Sequence, residues 1–167
     1  MNKGAIMEMR ALRPRGPLNS VVRVPGSKSH TQRALIAASL ADGGSRLEGP
    51  LFSEDTRLLA AALRRLGAEI VAEGGDLMIR GCRGIPAAPE GELFLGNNGT
   101  AMRFLLSVAA LGHGKYRITG DPRLCERPVG SLAEALNQLG VTIETRNGCP
   151  PVVVHAETLE YSTMRGR

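Results

Sequence analysis

A chain of 167 residues, 43% of them hydrophobic, is long enough to build one domain around its own core. It holds no run near the ~18–20 apolar residues that span a bilayer and no signal-peptide hydrophobic stretch, so a cytoplasmic location is expected. The net charge of +5 fits a solvated basic surface or sites for phosphates and carboxylates. Lys and Arg are scattered, aromatic residues make up 3% and Trp is absent, which argues against nucleic acid as a partner.

Residues 1–11 read as a disordered leader. Val24-Pro25-Gly26-Ser27-Lys28-Ser29 then opens a helix that runs from His30 to Leu40. Ser53 offers an N-cap, with Glu54 and Asp55 as acidic first-turn residues, for a helix from about Thr56 to Leu66; Gly67 ends it. Glu69 to Glu73 and Asp76 to Arg80 alternate as two strands around Gly74-Gly75. Leu95-Gly96-Asn97-Asn98-Gly99-Thr100 opens a second Ala/Leu-rich helix. Pro128 suits the first position of a further helix that Gly140 stops. Asn147-Gly148 suits a type I′ turn before a strand at Val152-Val153-Val154.

These signals repeat. Arg33 and Arg103, Gly49 and Gly120, Leu66 and Leu139, and Gly74 and Asn147 are separated by 70, 71, 73 and 73 residues. The period exceeds that of common solenoids and predicts an α/β chain of duplicated units, each running helix, strand, helix and two strands, over about 20–90 and 91–157. The tail from Glu157 to Arg167 carries no capping element, so the chain reads as a piece of a longer protein. An open piece of this kind exposes apolar surface and favours self-association.

The two loops that open Ala/Leu-rich helices carry the chemistry. Free backbone N–H groups and the positive end of the helix dipole favour anions there. Lys28 and Arg33 add full charges at the first loop and Arg103 at the second, so a doubly anionic substrate set is expected. The competing account of the first loop is a helix cap, with Ser29 satisfying N–H groups and Lys28 in solvent. It is no P-loop, because the Gly-x-x-x-x-Gly-Lys-Ser/Thr pattern is absent. Arg123 and Arg127 flank Glu126 and form either a surface ion-pair cluster or, through the planar fork of Arg127, a grip on a carboxylate or phosphate. Cys82, Cys125 and Cys149 are widely spaced and predict free thiols, with Cys125 filling space. His30, His113 and His155 lack ligand spacing, so no metal is expected. Met102 and Phe104 read as core.

Three blocks together resemble the 5-enolpyruvylshikimate-3-phosphate synthase family. They are Pro25-Gly26-Ser27-Lys28-Ser29 with Arg33, Gly96-Asn97-Asn98-Gly99-Thr100-Ala101-Met102-Arg103, and Gly120-Asp121-Pro122-Arg123-Leu124-Cys125-Glu126-Arg127-Pro128. The resemblance runs from about Leu12 to the end. It implies the enolpyruvyl transferase fold, an inside-out α/β barrel of βαβαββ units. About two of the three units of the first domain would be present over 12–167, with the strand leading in and without the C-terminal domain. It implies transfer of the enolpyruvyl group of phosphoenolpyruvate to the 5-hydroxyl of shikimate 3-phosphate, by addition and elimination with release of phosphate, in aromatic amino acid biosynthesis. No cofactor is implied, and the family is the target of the herbicide glyphosate.

The resemblance assigns Lys28 to both substrates and to catalysis, Ser29 and Arg33 to shikimate 3-phosphate, and Asn97, Gly99 and Arg127 to phosphoenolpyruvate, with Arg103 and Arg123 as supporting charges. Many members carry Ala where this chain has Asn98 and Pro where it has Phe104. The acid and base carboxylates would come from the missing C-terminal half, so this chain alone is expected to bind weakly and not turn over. The alternatives are a UDP-N-acetylglucosamine enolpyruvyl transferase, a non-catalytic phosphate-binding module, and a structural fragment whose charge only aids solubility.

Overall fold

Capping and burial together explain why the predicted elements form. The computed structural model describes Ala11, Gly16, Pro17 and residues 19–157; apart from Ala11 the expected leader lies outside these residues, as does the tail beyond Glu157. The first unit comprises α1 (Lys28–Leu40), β1 (Gly44–Leu47), α2 (Glu54–Arg65), β2 (Glu69–Glu73) and β3 (Asp76–Arg80). Ser53 caps α2 in a capping box: its side chain accepts from Thr56 N, and the Thr56 hydroxyl accepts from Ser53 N at 2.9 Å. Glu54 and Asp55 at its start and Arg64 and Arg65 at its end complement the helix dipole. The helix therefore begins two residues ahead of the expected Thr56. The β2 and β3 boundaries match the alternation read from sequence, and Gly74 and Gly75 turn the chain at φ +58° and +91°.

The second unit comprises β4 (Glu92–Phe94), α3 (Gly99–Ala109), β5 (Gly114–Thr119), α4 (Pro122–Cys125), α5 (Gly130–Gln138), β6 (Thr142–Arg146) and β7 (Cys149–Ala156). Asn147 and Gly148 both take positive φ, as a type I′ turn requires. One expectation is corrected here. Pro122, not Pro128, starts a helix, the single turn α4; Pro128 lies ahead of Val129, the N-cap of α5. That added turn explains why the repeat spacing grows from 71 residues at Gly49 and Gly120 to 73 beyond it.

The sheets have orders β1-β3-β2, all antiparallel, and β4-β5-β7-β6, in which only β4 and β5 pair in parallel. Leu77 and Ile79 of the first sheet and Tyr116, Ile118, Val152 and Val154 of the second turn inward, and the helices cover them in one contiguous core. Among the described residues no strand leads into the first unit: residues 21–27 form no ladder, and Val21, Val22 and Val24 are exposed. No apolar burial there offsets the entropy of ordering a strand. In the second unit β4 fills that place beside β5.

The units are also tied by polar contacts. Arg65 at the end of α2 donates to the carbonyls of Glu90 and Glu92, and the buried Tyr116 hydroxyl donates to Pro86 O at 2.7 Å. Within the first unit Asp76 accepts from Gly49 N at 3.0 Å and from Arg46 Nη2 at 2.7 Å. The Gly49 N–H, then the Arg46 guanidinium, hold the Asp76 carboxyl below its ordinary 3.8. A lowered carboxyl stabilises the fold above the unfolded value, and that contribution is lost as pH falls through the folded one. Asp76→Asn should therefore unfold at lower urea than wild type at pH 7, with the gap closing as pH drops below 3.8. Leu105, fully buried in α3, should cost about 2–5 kcal/mol in urea unfolding as Leu105→Ala, through lost burial and the cavity left behind.

Candidate functional site

The start of α1 is shaped by a close backbone approach. A Cβ on Gly26 would lie 2.6 Å from Gly49 O and 2.9 Å from Leu51 N, so only glycine lets this loop lie against residues 49–51. Ser27 then caps the helix by accepting from His30 N at 3.4 Å. The cap is thus Ser27 and not Ser29, and α1 begins at Lys28 rather than His30. Ser29 is exposed, and its hydroxyl has no hydrogen-bond partner among the described residues. Lys28 Nζ reaches Asp55 Oδ2 at 2.7 Å, with side-chain exposures of 55% and 27%. An ion pair this exposed contributes about 0–1 kcal/mol to stability; its effect here is to hold the ammonium at the start of α2. One turn into α1, Arg33 donates to Ser29 O at 3.2 Å and lies over the Phe104 ring at 5.8 Å. Such cation–π contacts contribute about 0.5–1 kcal/mol at exposed sites.

The start of α3 is the second half. Asn98 caps it, accepting from Ala101 N at 3.0 Å, while its Nδ2 donates to Asp55 O at 3.0 Å. Gly99 is buried at the first helical position. A Cβ there would lie 2.7 Å from Arg127 Nη1 and 3.2 Å from Arg103 Nη1. Arg103 bridges two segments, donating to Gly99 O at 3.0 Å and to Pro128 O at 2.9 Å. The Arg127 guanidinium lies against Gly99, half-buried, with no hydrogen-bond or ion-pair partner among the described residues.

The structure therefore brings Lys28, Ser29 and Arg33 to one helix start, and Asn97, Gly99, Arg103 and Arg127 to another. Asn98, Asp55 and Phe104 join the two. Arg123 lies exposed on α4, and no hydrogen bond or ion pair ties it to this group among the described residues. Neither α1 nor α3 has an acidic residue in its first turn, whereas α2 has two. The positive ends of α1 and α3 are thus left to the cations around them, which suits phosphate or carboxylate groups. Among the described residues no three His, Cys, Asp or Glu side chains cluster as metal ligands would.

Sequence reasoning missed Asp55 as part of the site. It read Asp55 as a first-turn helix residue, which it also is, and nothing local signals a partner 27 residues away. The pairing of Arg33 with Arg103 is also revised. Aligning the caps Ser27 and Asn98 sets the offset at 71, so Arg33 corresponds to Phe104 and Gln32 to Arg103.

Known structures and sequences resemble this chain. A solved EPSP synthase from Acinetobacter baumannii superposes with a TM-score of 0.77 at 31% identity, covering 81% of this chain and 32% of that one. The fold class is thus the mixed α/β architecture of the enolpyruvyl transferases. In sequence, the 3-phosphoshikimate 1-carboxyvinyltransferase of Rhizobium etli is 45% identical over 141 residues, 84% of this chain and 34% of that protein. That of Burkholderia multivorans is 39% identical over 155 residues, 92% of this chain and 36% of that protein. Residues 12–166 match the profile described as EPSP synthase (3-phosphoshikimate 1-carboxyvinyltransferase), and the chain belongs to that family. It spans about a third of the length of these relatives. The names of these relatives do not favour the UDP-N-acetylglucosamine enzyme.

Gly99→Ala should displace the Arg127 guanidinium and weaken any binding of a carboxylate or phosphate anion there by about tenfold, the scale of a disturbed charge-assisted contact. Calorimetric titration, with circular dichroism as the control for α3, measures both effects.

Proposed function

We propose that this chain supplies one part of the active site of a 3-phosphoshikimate 1-carboxyvinyltransferase. The observation that carries the reading is the half-buried Arg127, whose guanidinium lies against Gly99 at the start of α3 with no partner among the described residues, joined through Asn98 and Asp55 to Lys28 at the start of α1. The planar guanidinium of a half-buried arginine at the positive end of a helix is suited to a bidentate anion. In this reading Arg127, Gly99 and Asn97 take phosphoenolpyruvate, Ser29 and Arg33 take the phosphate of shikimate 3-phosphate, and Lys28 stands between them. The Ser29 hydroxyl, without a partner among the described residues, can donate to that phosphate. Arg103 sets the geometry by bridging Gly99 and Pro128, and Arg123 adds positive potential.

The 5-hydroxyl oxygen adds to C2 of phosphoenolpyruvate while C3 gains a proton. The tetrahedral adduct then loses phosphate from C2 and the proton from C3, restoring the double bond. In this reading the cations stabilise the phosphate as it leaves, and Lys28 moves a proton at the reacting hydroxyl. The carboxylate nearest Lys28, Asp55, is already engaged with it. We assign the remaining acid–base groups to parts of the relatives that this chain does not span, and expect binding without turnover from the chain alone. We place this chemistry in the cytoplasm, because doubly charged phosphorylated substrates do not cross a bilayer unaided.

Amide NMR tests the reading. Shikimate 3-phosphate should shift Ser27 to Arg33, and Lys28→Ala should abolish those shifts. Arg127→Lys should weaken phosphoenolpyruvate binding about tenfold, because an ammonium cannot reproduce the bidentate fork. A folded chain that binds neither ligand, or one that turns over unaided, overturns the proposal.

A further inference from the structure

We propose that Asn98, acting through Asp55, is a positioning residue for the Lys28 ammonium; the purpose of that role rests on the anion-site reading above. Capping α3 requires only a side-chain oxygen, which Ser, Thr or Asp would provide equally well. Asn98 also carries a donor. It is 3% exposed, and that donor goes to the Asp55 carbonyl at 3.0 Å. The carboxylate of the same Asp55 holds Lys28 Nζ at 2.7 Å. One buried amide thus fixes the start of α3 to the peptide that carries the counterion of Lys28.

The arrangement matters because neither partner of the ion pair is itself buried. Lys28 and Asp55 have side-chain exposures of 55% and 27%, and exposed pairs of this kind wander among rotamers. Fixing the backbone beneath the carboxylate narrows where the ammonium can stand. It also sets Lys28 relative to Gly99, the residue after Asn98. The competing account is that Asn98 is a cap and nothing more.

The two accounts separate in the ligand-free chain. Asn98→Ser keeps a good cap but is too short to bridge. Asn98→Asp keeps the shape and the cap but loses the donor. The readout is the side-chain ammonium signal of Lys28 in a ¹⁵N-labelled sample at low temperature, assigned by its loss in Lys28→Arg. In the wild type this signal should be sharp and slow to exchange, and in both variants it should broaden toward those of solvated lysines. The α3 amide shifts should stay in place. The dissociation constant for phosphoenolpyruvate should rise about fivefold. An unchanged Lys28 signal in either folded variant reduces Asn98 to a cap and overturns the proposal. Failure of the wild type to bind phosphoenolpyruvate removes the anion-site reading alone, because the ammonium signal is read without ligand.

Discussion

The site depends on how the peptide of Leu51 is held. Its N–H donates to the Thr31 hydroxyl at 2.9 Å, and its carbonyl accepts from the Thr56 hydroxyl at 2.7 Å. Thr31 lies in the first turn of α1 and Thr56 in the first turn of α2, and both are buried. A single loop residue thus pins two helix starts at fixed separation. Net hydrogen bonds of this kind contribute only about 0.5–1.5 kcal/mol each, but leaving either partner buried and unpaired costs more. The close approach of Gly26 to Gly49 and Leu51 completes the constraint. Lys28 meets Asp55 because these backbones cannot move apart.

From that anchor the second unit is built outward. Asn98 bonds to the α2 start, Arg65 at the far end of α2 binds the carbonyls before and within β4, and Arg33 of α1 lies on Phe104 of α3. The loops that open α1 and α3 therefore belong to one body, with a shared core beneath them. Asn98 and Phe104 both make contacts between the units, Asn98 with Asp55 and Phe104 with Arg33.

Much of the fold was legible because local chemistry and tertiary role agree. Ser53, Glu54 and Asp55 announce α2, Gly74-Gly75 and Asn147-Gly148 announce hairpins, and the alternation in residues 69–80 announces two strands. The failures came where one residue type serves two purposes. Pro122 and Pro128 both suit a helix start, and only packing of the 120–128 segment decides between them. Ser27 and Ser29 both suit a cap, and the geometry forced by Gly26 selects the first. Asp55 served α2 locally, which hid its bond to Lys28. The resemblance implied a strand leading into the first unit, but a strand needs a neighbour, and no sequence pattern shows whether one is taken up.

The matched caps have a consequence for how such a site could arise. Ser27 and Asn98 occupy equivalent places in the two units, and the next residue is Lys28 in one and Gly99 in the other. Copying an ancestral helix start would yield two identical receptors. A change at that one position makes them unlike: one copy projects a cation, while the other bares its backbone so that an arginine from elsewhere can lie across it. Symmetry in the scaffold is thereby broken at one position in each half, while the caps that start the two helices stay in place.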